Sequence, residues 1–278
     1  MKNAINKFIV IMLSCFFVIS LYSKNIDQNK IPIKFEIIIC SYNNERWCIK
    51  NLESIVNQTY PYWHATLVID AATDATYELV HEFIKTHNIE NKITVILNEK
   101  RQGAIANIYM VAMNCPGEKV IGLVDGDDWL HDEFVLERVA KAYHEADIWL
   151  TFGQFEFYPT GQKGWVRPYT KSVIKTNSFR KMHGILPTHF KTFYAWLFHK
   201  IKRKDLMHEG EFYPVAGDVA MMLMLIEMAG AHHKCFYKDS EINYVYNIDN
   251  PLNDFNTQLQ KQLALDQYIR TKKSYKPL

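Results

Sequence analysis

Paired-cysteine motifs are missing from this chain. Of its five cysteines, Cys15 falls in an N-terminal apolar run, and Cys40, Cys48, Cys115 and Cys235 stand far apart with no CxxC among them. That excludes a cysteine zinc module and gives no disulfide framework, so these four read as mostly buried thiols. A strong excess of one charge is missing too. The formal net charge is +2, which offers no general electrostatic basis for binding nucleic acid. The common phosphate-cradling glycine patterns are absent as well: neither GxGxxG after the first strand nor GxxxxGK[ST] occurs. A dinucleotide-binding dehydrogenase and a P-loop enzyme are thereby set aside. There is no internal repeat and no low-complexity linker.

What remains is a chain of 278 residues, 48% hydrophobic and 22% charged, a balance that suits one large globular domain. Residues 1–23 differ from the rest. Lys2 and Lys7 precede an apolar run over 8–22 interrupted only by Ser14, Cys15 and Ser20, and Ser23 can close a cleavage site. This is the shape of a signal peptide, and the run is short against the roughly 20 apolar residues of a membrane span. Export to a periplasm, the exterior or a secretory lumen is therefore expected, with a retained membrane anchor as the alternative.

From Ile31 onward, strand-like and helix-like segments alternate. Phe35–Cys40, Ala65–Asp70, Ile93–Leu97 and the run beginning at Val120 are rich in β-branched residues. Between them lie a helix using Trp47, Leu52, Ile55 and Val56, one over 77–87 with Thr73 or Asp74 as its cap, and one over 103–114. Alternation of this kind predicts an α/β fold with a mostly parallel, Rossmann-like sheet flanked by helices. Such sheets bind ligands at the carboxyl ends of their strands. Three of those ends are polar: Ser41–Glu45, Asp70 and Asp125–Asp128.

The last is the most unusual stretch of the chain. Val120, Ile121, Leu123 and Val124 form an apolar run that stops at Asp125-Gly-Asp-Asp128. Three carboxylates so close repel one another unless something cationic holds them. A hard divalent ion, Mn²⁺ or Mg²⁺, suits oxygen ligands of this kind. An EF-hand starting at Asp125 is excluded, because its fifth, sixth and twelfth positions hold Trp129, Leu130 and Leu136. Gly126 is expected to permit a tight turn. On this stretch alone, a solvated acidic turn and a metal site both remain open.

Taken in order, Ser41-Tyr-Asn-Asn-Glu45, Asn57-Gln-Thr-Tyr60, Asp70 with Thr73-Asp74, Asn98 with Gly103 and Asn107, and Asp125-Gly-Asp-Asp128 resemble the signature of family 2 glycosyltransferases of the GT-A fold. The resemblance spans roughly residues 35–254. It implies a single catalytic domain whose 31–130 half takes a nucleotide-sugar donor, foremost a UDP-sugar. Ser41, Tyr42, Asn43, Glu45, Asp70, Arg101, Gly103, Asn107 and Asp125 would bind that donor, and Asp127 and Asp128 would hold the metal on its diphosphate. There are departures: Ala71 stands where a second acid is common, and Ala106 where an arginine is, with Arg101 close enough to replace it.

The 131–254 half would then supply the hydroxyl acceptor's site and the base. Residues 148–157 have strand composition, Trp165 and Tyr169 could stack on a sugar but read first as packing, and His183 and His189 read as structural, with no carboxylate at ligand spacing. Phe193–Phe198 followed by the basic run 199–204 reads as a helix end. A helix over 219–229 is apolar all round and hence buried, its methionines filling the core. Asp218 at its start could be an N-cap, but the resemblance makes it the general base, with Gly217 in place of the usual glutamate. A strand over 242–246 and an amphipathic helix over 255–270, using Phe255, Leu259, Leu263 and Tyr268, close the chain. Two rivals share these features. A sugar nucleotidyltransferase would need a glycine-rich basic loop that Ser41–Arg46 lacks; an inactive carbohydrate-binding or nucleotide-binding relative is suggested by Ala71, Ala106 and Gly217.

Overall fold

A computed structural model of the chain describes residues 31–183, 187–230, 235–236 and 241–278. The chain divides into Met1–Pro32 and Ile33–Leu278, and every element below lies in the second unit. The expected signal segment lies outside the described residues.

The first half is built as the hydrophobic pattern dictates. Strand β1 (Phe35–Ser41), helix α1 (Cys48–Val56), β2 (Trp63–Asp70), α2 (Thr76–His87), β3 (Ile93–Asn98), α3 (Ala104–Asn114) and β4 (Val120–Asp125) follow one another. The strands pair in parallel, β1 with β2 and β4, and β2 with β3. Ile37, Ile38 and Ile39 are buried, because helices cover both faces of such a sheet. Each contributes roughly 1.5–3 kcal/mol through burial. Helix α2 ends on Asn88 in the left-handed region. It starts at Thr76 without a capping side chain on Ala75, so neither Thr73 nor Asp74 is its N-cap; Asp74 instead accepts from the Thr76 backbone.

The second half extends this sheet and adds another. It comprises β5 (Trp129–Leu130), α4 (Val135–Glu145), β6 (Leu150–Thr151), β7 (Gln154–Tyr158), β8 (Gln162–Lys163), α5 (Lys171–Thr176), β9 (Lys191–Tyr194), α6 (Ala195–Phe198), β10 (Met207–His208), β11 (Glu211–Phe212), α7 (Gly217–Ala229), β12 (Cys235–Phe236), β13 (Ile242–Asn247), α8 (Asp254–Thr257) and α9 (Leu259–Thr271). The main sheet has seven strands in the order β12-β6-β9-β4-β1-β2-β3, and a four-stranded sheet runs β5-β13-β7-β8. Strand β9 lies antiparallel to β4, so β9 begins at the edge where β4 ends. Chain order reverses beside β1, between β2 and β4, and there the crevice opens.

Three expectations fail here. The 193–204 segment is not one helix end: its start is β9, a strand paired on both sides, and a turn of α6 follows. Helix α9 is rotated from its expected face, since Leu259 and Leu263 are exposed while Leu265, Ile269 and Arg270 are buried. The cause is Arg270, whose guanidinium bonds the carbonyls of Arg180 and Met182 and draws its own face inward. Helix α7 begins at Gly217 rather than at Val219; it is buried along its length as expected, yet it contains buried Glu227, paired with Arg180 at 2.6 Å.

Candidate active site

Register alone gathers the polar strand ends. Cys40 pairs with Asp125, Ser41 with Ile69, and Asp70 with Asn98, so the segments that follow β1, β2, β3 and β4 share one edge. The turn after β1 is laced to the loop after β2. Asn43 accepts from the Thr73 backbone at 2.8 Å, the Glu45 backbone donates to Asp74 at 2.9 Å, and Glu45 accepts from the Ala75 backbone at 3.0 Å. Ser41 is buried and accepts from Asn44. Ser41, Asn43 and Glu45 therefore shape the turn. Tyr42 is half-buried and carries the Arg101 guanidinium over its ring at 3.8 Å.

Asp70 is almost wholly buried. One carboxylate oxygen accepts from the Asn98 amide and the Gln102 backbone at 2.8 and 2.9 Å, the other from the Gly103 backbone at 2.8 Å. Burial acts to raise its pKa, but these donors win and hold it below the ordinary aspartate value. Asp70 thus fixes the loop that starts α3, where Gly103 has φ +88°, a conformation that favours glycine. Asn107 lies just inside α3; its Oδ1 accepts from Asn98, and its side-chain amide helps to lower the Asp70 pKa.

The acidic stretch is held from three directions. The Asn51 amide donates to the carbonyls of Asp125 and Asp128 at 2.9 and 2.7 Å. The Tyr244 hydroxyl accepts from the Asp125 backbone at 3.0 Å and donates to Asp128 at 2.8 Å, and the Asn247 backbone donates to the other Asp128 oxygen at 2.8 Å. Asn250 donates to Asp127 at 2.7 Å. Asp128 is fully buried; burial first, then the charges of Asp127 and Asp125, push its pKa well above the ordinary value. Gly126 is required for space, not for a special turn: a Cβ there would fall 2.7 Å from Asn44 Nδ2 and 2.8 Å from the Cys40 carbonyl. His189 completes the group. It stacks on Tyr244 with ring centroids 4.4 Å apart, and burial, helped by the Lys191 charge, keeps its imidazole neutral. Ligand atoms of Asp125, Asp128 and His189 all lie within 4.8 Å of one another.

The sequence model of glycosyl transferase family 2 matches residues 36–206. The chain belongs to this family. Among curated relatives, glycosyltransferase GlyA of Streptococcus pneumoniae is 27% identical over 191 residues, 64% of this chain and 27% of GlyA. An uncharacterised glycosyltransferase of Haemophilus influenzae is 24% identical over 204 residues, 73% of this chain and 55% of that protein. The chain thus spans between about a quarter and about half of these two relatives. Among solved structures, Staphylococcus aureus TarS in complex with UDP superposes with a TM-score of 0.58 at 18% identity, over 84% of this chain and 65% of the other. The Pyrobaculum calidifontis mannosyltransferase PcManGT, in complex with GDP-Man and Mn²⁺, gives 0.58 at 17% identity over 96% and 76%. The fold is that of the GT-A glycosyltransferases.

Of the expected Asp127–Asp128 pair, only Asp128 falls in the group of ligand atoms that lie within 4.8 Å of one another, and Asp127 gives one oxygen to Asn250. Asp128 joins Asp125 and His189 there. His189 has carboxylate neighbours after all, brought by tertiary structure rather than by sequence spacing. Two carboxylates and a neutral imidazole form a donor set suited to Mn²⁺, with Mg²⁺ favoured less by the nitrogen.

Asp218 stands in the first turn of α7, one residue inside the helix rather than at the N-cap; the N-cap is Ala216, at φ +57°. Its Oδ1 accepts from the Val219 backbone at 2.8 Å and its Oδ2 from Lys191 Nζ at 2.9 Å. Burial would raise its pKa, but the Lys191 charge and hydrogen bond outweigh that and lower it, so Asp218 is ionised at neutral pH. Trp165 is half exposed and rests edge-on against Phe155, whereas Tyr169 is buried. The sequence pattern did not reveal Asn51, His189 and Lys191 as site residues. Nor does the sequence mark the Tyr244-to-Asn250 segment as part of the site; it predicts only a strand over 242–246 there.

Proposed function

We propose that the protein is a metal-dependent, inverting glycosyltransferase that moves a sugar from a nucleotide-sugar donor, foremost a UDP-sugar, to a hydroxyl acceptor. The observation that carries this reading is the joint presence, around one buried ammonium, of a strand-end acid group and a separate, open carboxylate. Lys191 bonds Asp218, and its charge also interacts with Asp125 and Asp128. The complexes of the neighbours, with UDP and with GDP-Man and Mn²⁺, support a nucleotide-sugar donor.

In the reaction the acceptor oxygen attacks the anomeric carbon on the face opposite the diphosphate. Asp218 takes the hydroxyl proton, the new bond forms from carbon to acceptor oxygen, and the carbon–diphosphate bond breaks with its electron pair leaving on the nucleoside diphosphate. Asp125, Asp128 and His189 would hold the divalent ion, whose chemistry is Lewis-acid stabilisation of charge on the diphosphate. Tyr42 with Arg101 forms one rim of the donor's half of the crevice, and buried Asn107 and Asn98 steady Asp70 beside it. Tyr244, Asn247 and Asn51 keep the acids fixed, so little reorganisation is needed as charge develops.

The test is release of nucleoside diphosphate by the full-length protein from UDP-, GDP- and dTDP-sugars, with Mn²⁺ and with chelator. Metal-dependent release from one donor class supports the reading; absence of binding and of release across the panel removes it. Residues 8–22 are further proposed to export or anchor the protein, and a reporter fused to residues 1–30 that stays uncleaved and cytosolic would sink that idea.

A further inference from the structure

Lys191 belongs to none of the motifs that mark the site, yet it lies at their centre. It is the first residue of β9, paired with Leu123 of β4, two positions before Asp125. Residues two apart along a strand share a face, as do residues paired directly across it, so Lys191 projects to the side of the sheet on which Asp125 lies, and their charges interact. The Lys191 side chain is 5% exposed and that of Asp218 is 43% exposed. The pair is therefore asymmetric, with its cation inside the protein and its carboxylate at the open crevice. A buried ammonium needs a permanent partner, because desolvation otherwise favours its neutral form.

On the glycosyltransfer reading above, we infer that Lys191 is the positioning residue for the base, fixing Asp218 Oδ2 so that the carboxylate presents its remaining lone pairs to the acceptor hydroxyl. Three features carry this. The contact is direct, at 2.9 Å. Lys191 is too enclosed to reach out to a donor in the open crevice. Asp218 sits on a helix start that follows Ala216 in the left-handed region, a backbone that sets the carboxylate's origin but leaves its rotation free. With Oδ1 on the Val219 N–H and Oδ2 on Lys191, that rotation is fixed. Lys191 itself exchanges no proton in the step. It also limits repulsion between Asp218 and the Asp125–Asp128 group, whose charges it faces.

The inference is tested on the full-length chain with Lys191→Met, Lys191→Arg, Asp218→Asn and the double variant Lys191→Met/Asp218→Asn, with Lys191→Gln replacing the methionine variant if that does not fold. Turnover is read as nucleoside diphosphate release with Mn²⁺ from the sugar-nucleotide panel, and binding as UDP and GDP affinity by calorimetry. Misplacing a reacting group by about 1 Å can cost on the order of 100-fold. Lys191→Met is expected to lower kcat by about that factor while donor KM and nucleotide Kd stay within about threefold. Lys191→Arg should recover about tenfold of the loss. In the Asp218→Asn background the lysine substitution should have almost no further effect, since coupled residues are not additive. Three results would overturn the inference: kcat unchanged in Lys191→Met, a Kd that rises in proportion to the loss, or an equal loss in both backgrounds. A wild-type protein that neither binds nor turns over any donor removes the glycosyltransfer reading and this inference with it. An active wild type with an equally active Lys191→Met removes the inference alone.

Discussion

Gly217 lies directly against Ile105: a Cβ at position 217 would fall 2.6 Å from the Ile105 Cβ. Helix α7 therefore meets α3 through bare backbone just before Asp218. The glutamate that the resemblance leads one to expect has no room here, so the departure at Gly217 is a consequence of close helix packing and leaves Asp218 in its place at the crevice.

Gly217→Glu should consequently destabilise the fold by at least the roughly 1–3 kcal/mol typical of overpacking, and Gly217→Ala by an amount in that range. Urea denaturation measures both. The companion change Ile105→Ala should recover part of the Gly217→Ala loss by opening space at the same contact; an additive pair would contradict the packing argument.

The Tyr244 hydroxyl makes two bonds, one to the Asp125 backbone and one to Asp128. Tyr244→Phe keeps the ring and its stacking on His189 but strands both partners. The expected cost is about 1–3 kcal/mol of stability, together with weaker Mn²⁺ binding by calorimetric titration. Unchanged stability and unchanged Mn²⁺ affinity together would show that the hydroxyl does not hold the acids.

Glu36 gives the fold an acid-dependent component. It is buried in β1, where Thr66 and His64 meet one oxygen and Lys119 the other. Burial acts to raise its pKa, but these partners lower it below the ordinary 4.5. A carboxylate with a depressed folded-state pKa stabilises the protein above its unfolded value, and that contribution disappears as pH falls through the folded value. Stability should therefore decline below about pH 4.5, and Glu36→Gln should flatten that part of the profile while lowering stability at pH 7. Thermal unfolding across pH 3 to 7 measures it, and a parallel decline in both proteins would assign the acid sensitivity elsewhere.

The parallel half of the fold was legible because buried strands such as Ile37-Ile38-Ile39 carry an uninterrupted apolar signal, and helices such as α1 a periodic one. The acids were legible as a candidate because Asp125, Asp127 and Asp128 crowd the end of an apolar run, and the ordered motifs around them, not the stretch itself, favoured a site over a solvated turn. Their supports were not. Tyr244 and Asp128 are 116 residues apart in sequence, and Lys191 and Asp218 are 27 apart; nothing local marks either pair. His189 looked structural for the same reason, since its carboxylate neighbours arrive from β4. The buried face of the C-terminal helix was misjudged because its apolar residues alone were used to place it, whereas Arg270 is drawn inward by the carbonyls of Arg180 and Met182. The strand β9 was hidden in a segment whose basic continuation suggested a helix end, and its pairing with β4 and β6 decides its form.

The most direct test of the account compares nucleoside diphosphate release by the wild type, Asp125→Asn and Asp218→Asn, each with Mn²⁺ and with chelator, alongside nucleotide affinity. The account predicts metal-dependent release by the wild type, lost on chelation. It predicts that Asp125→Asn loses both release and Mn²⁺-dependent affinity, whereas Asp218→Asn binds the nucleotide as the wild type does but turns over about 100-fold more slowly or worse. Undiminished release in chelator, or full turnover by Asp218→Asn, would contradict it.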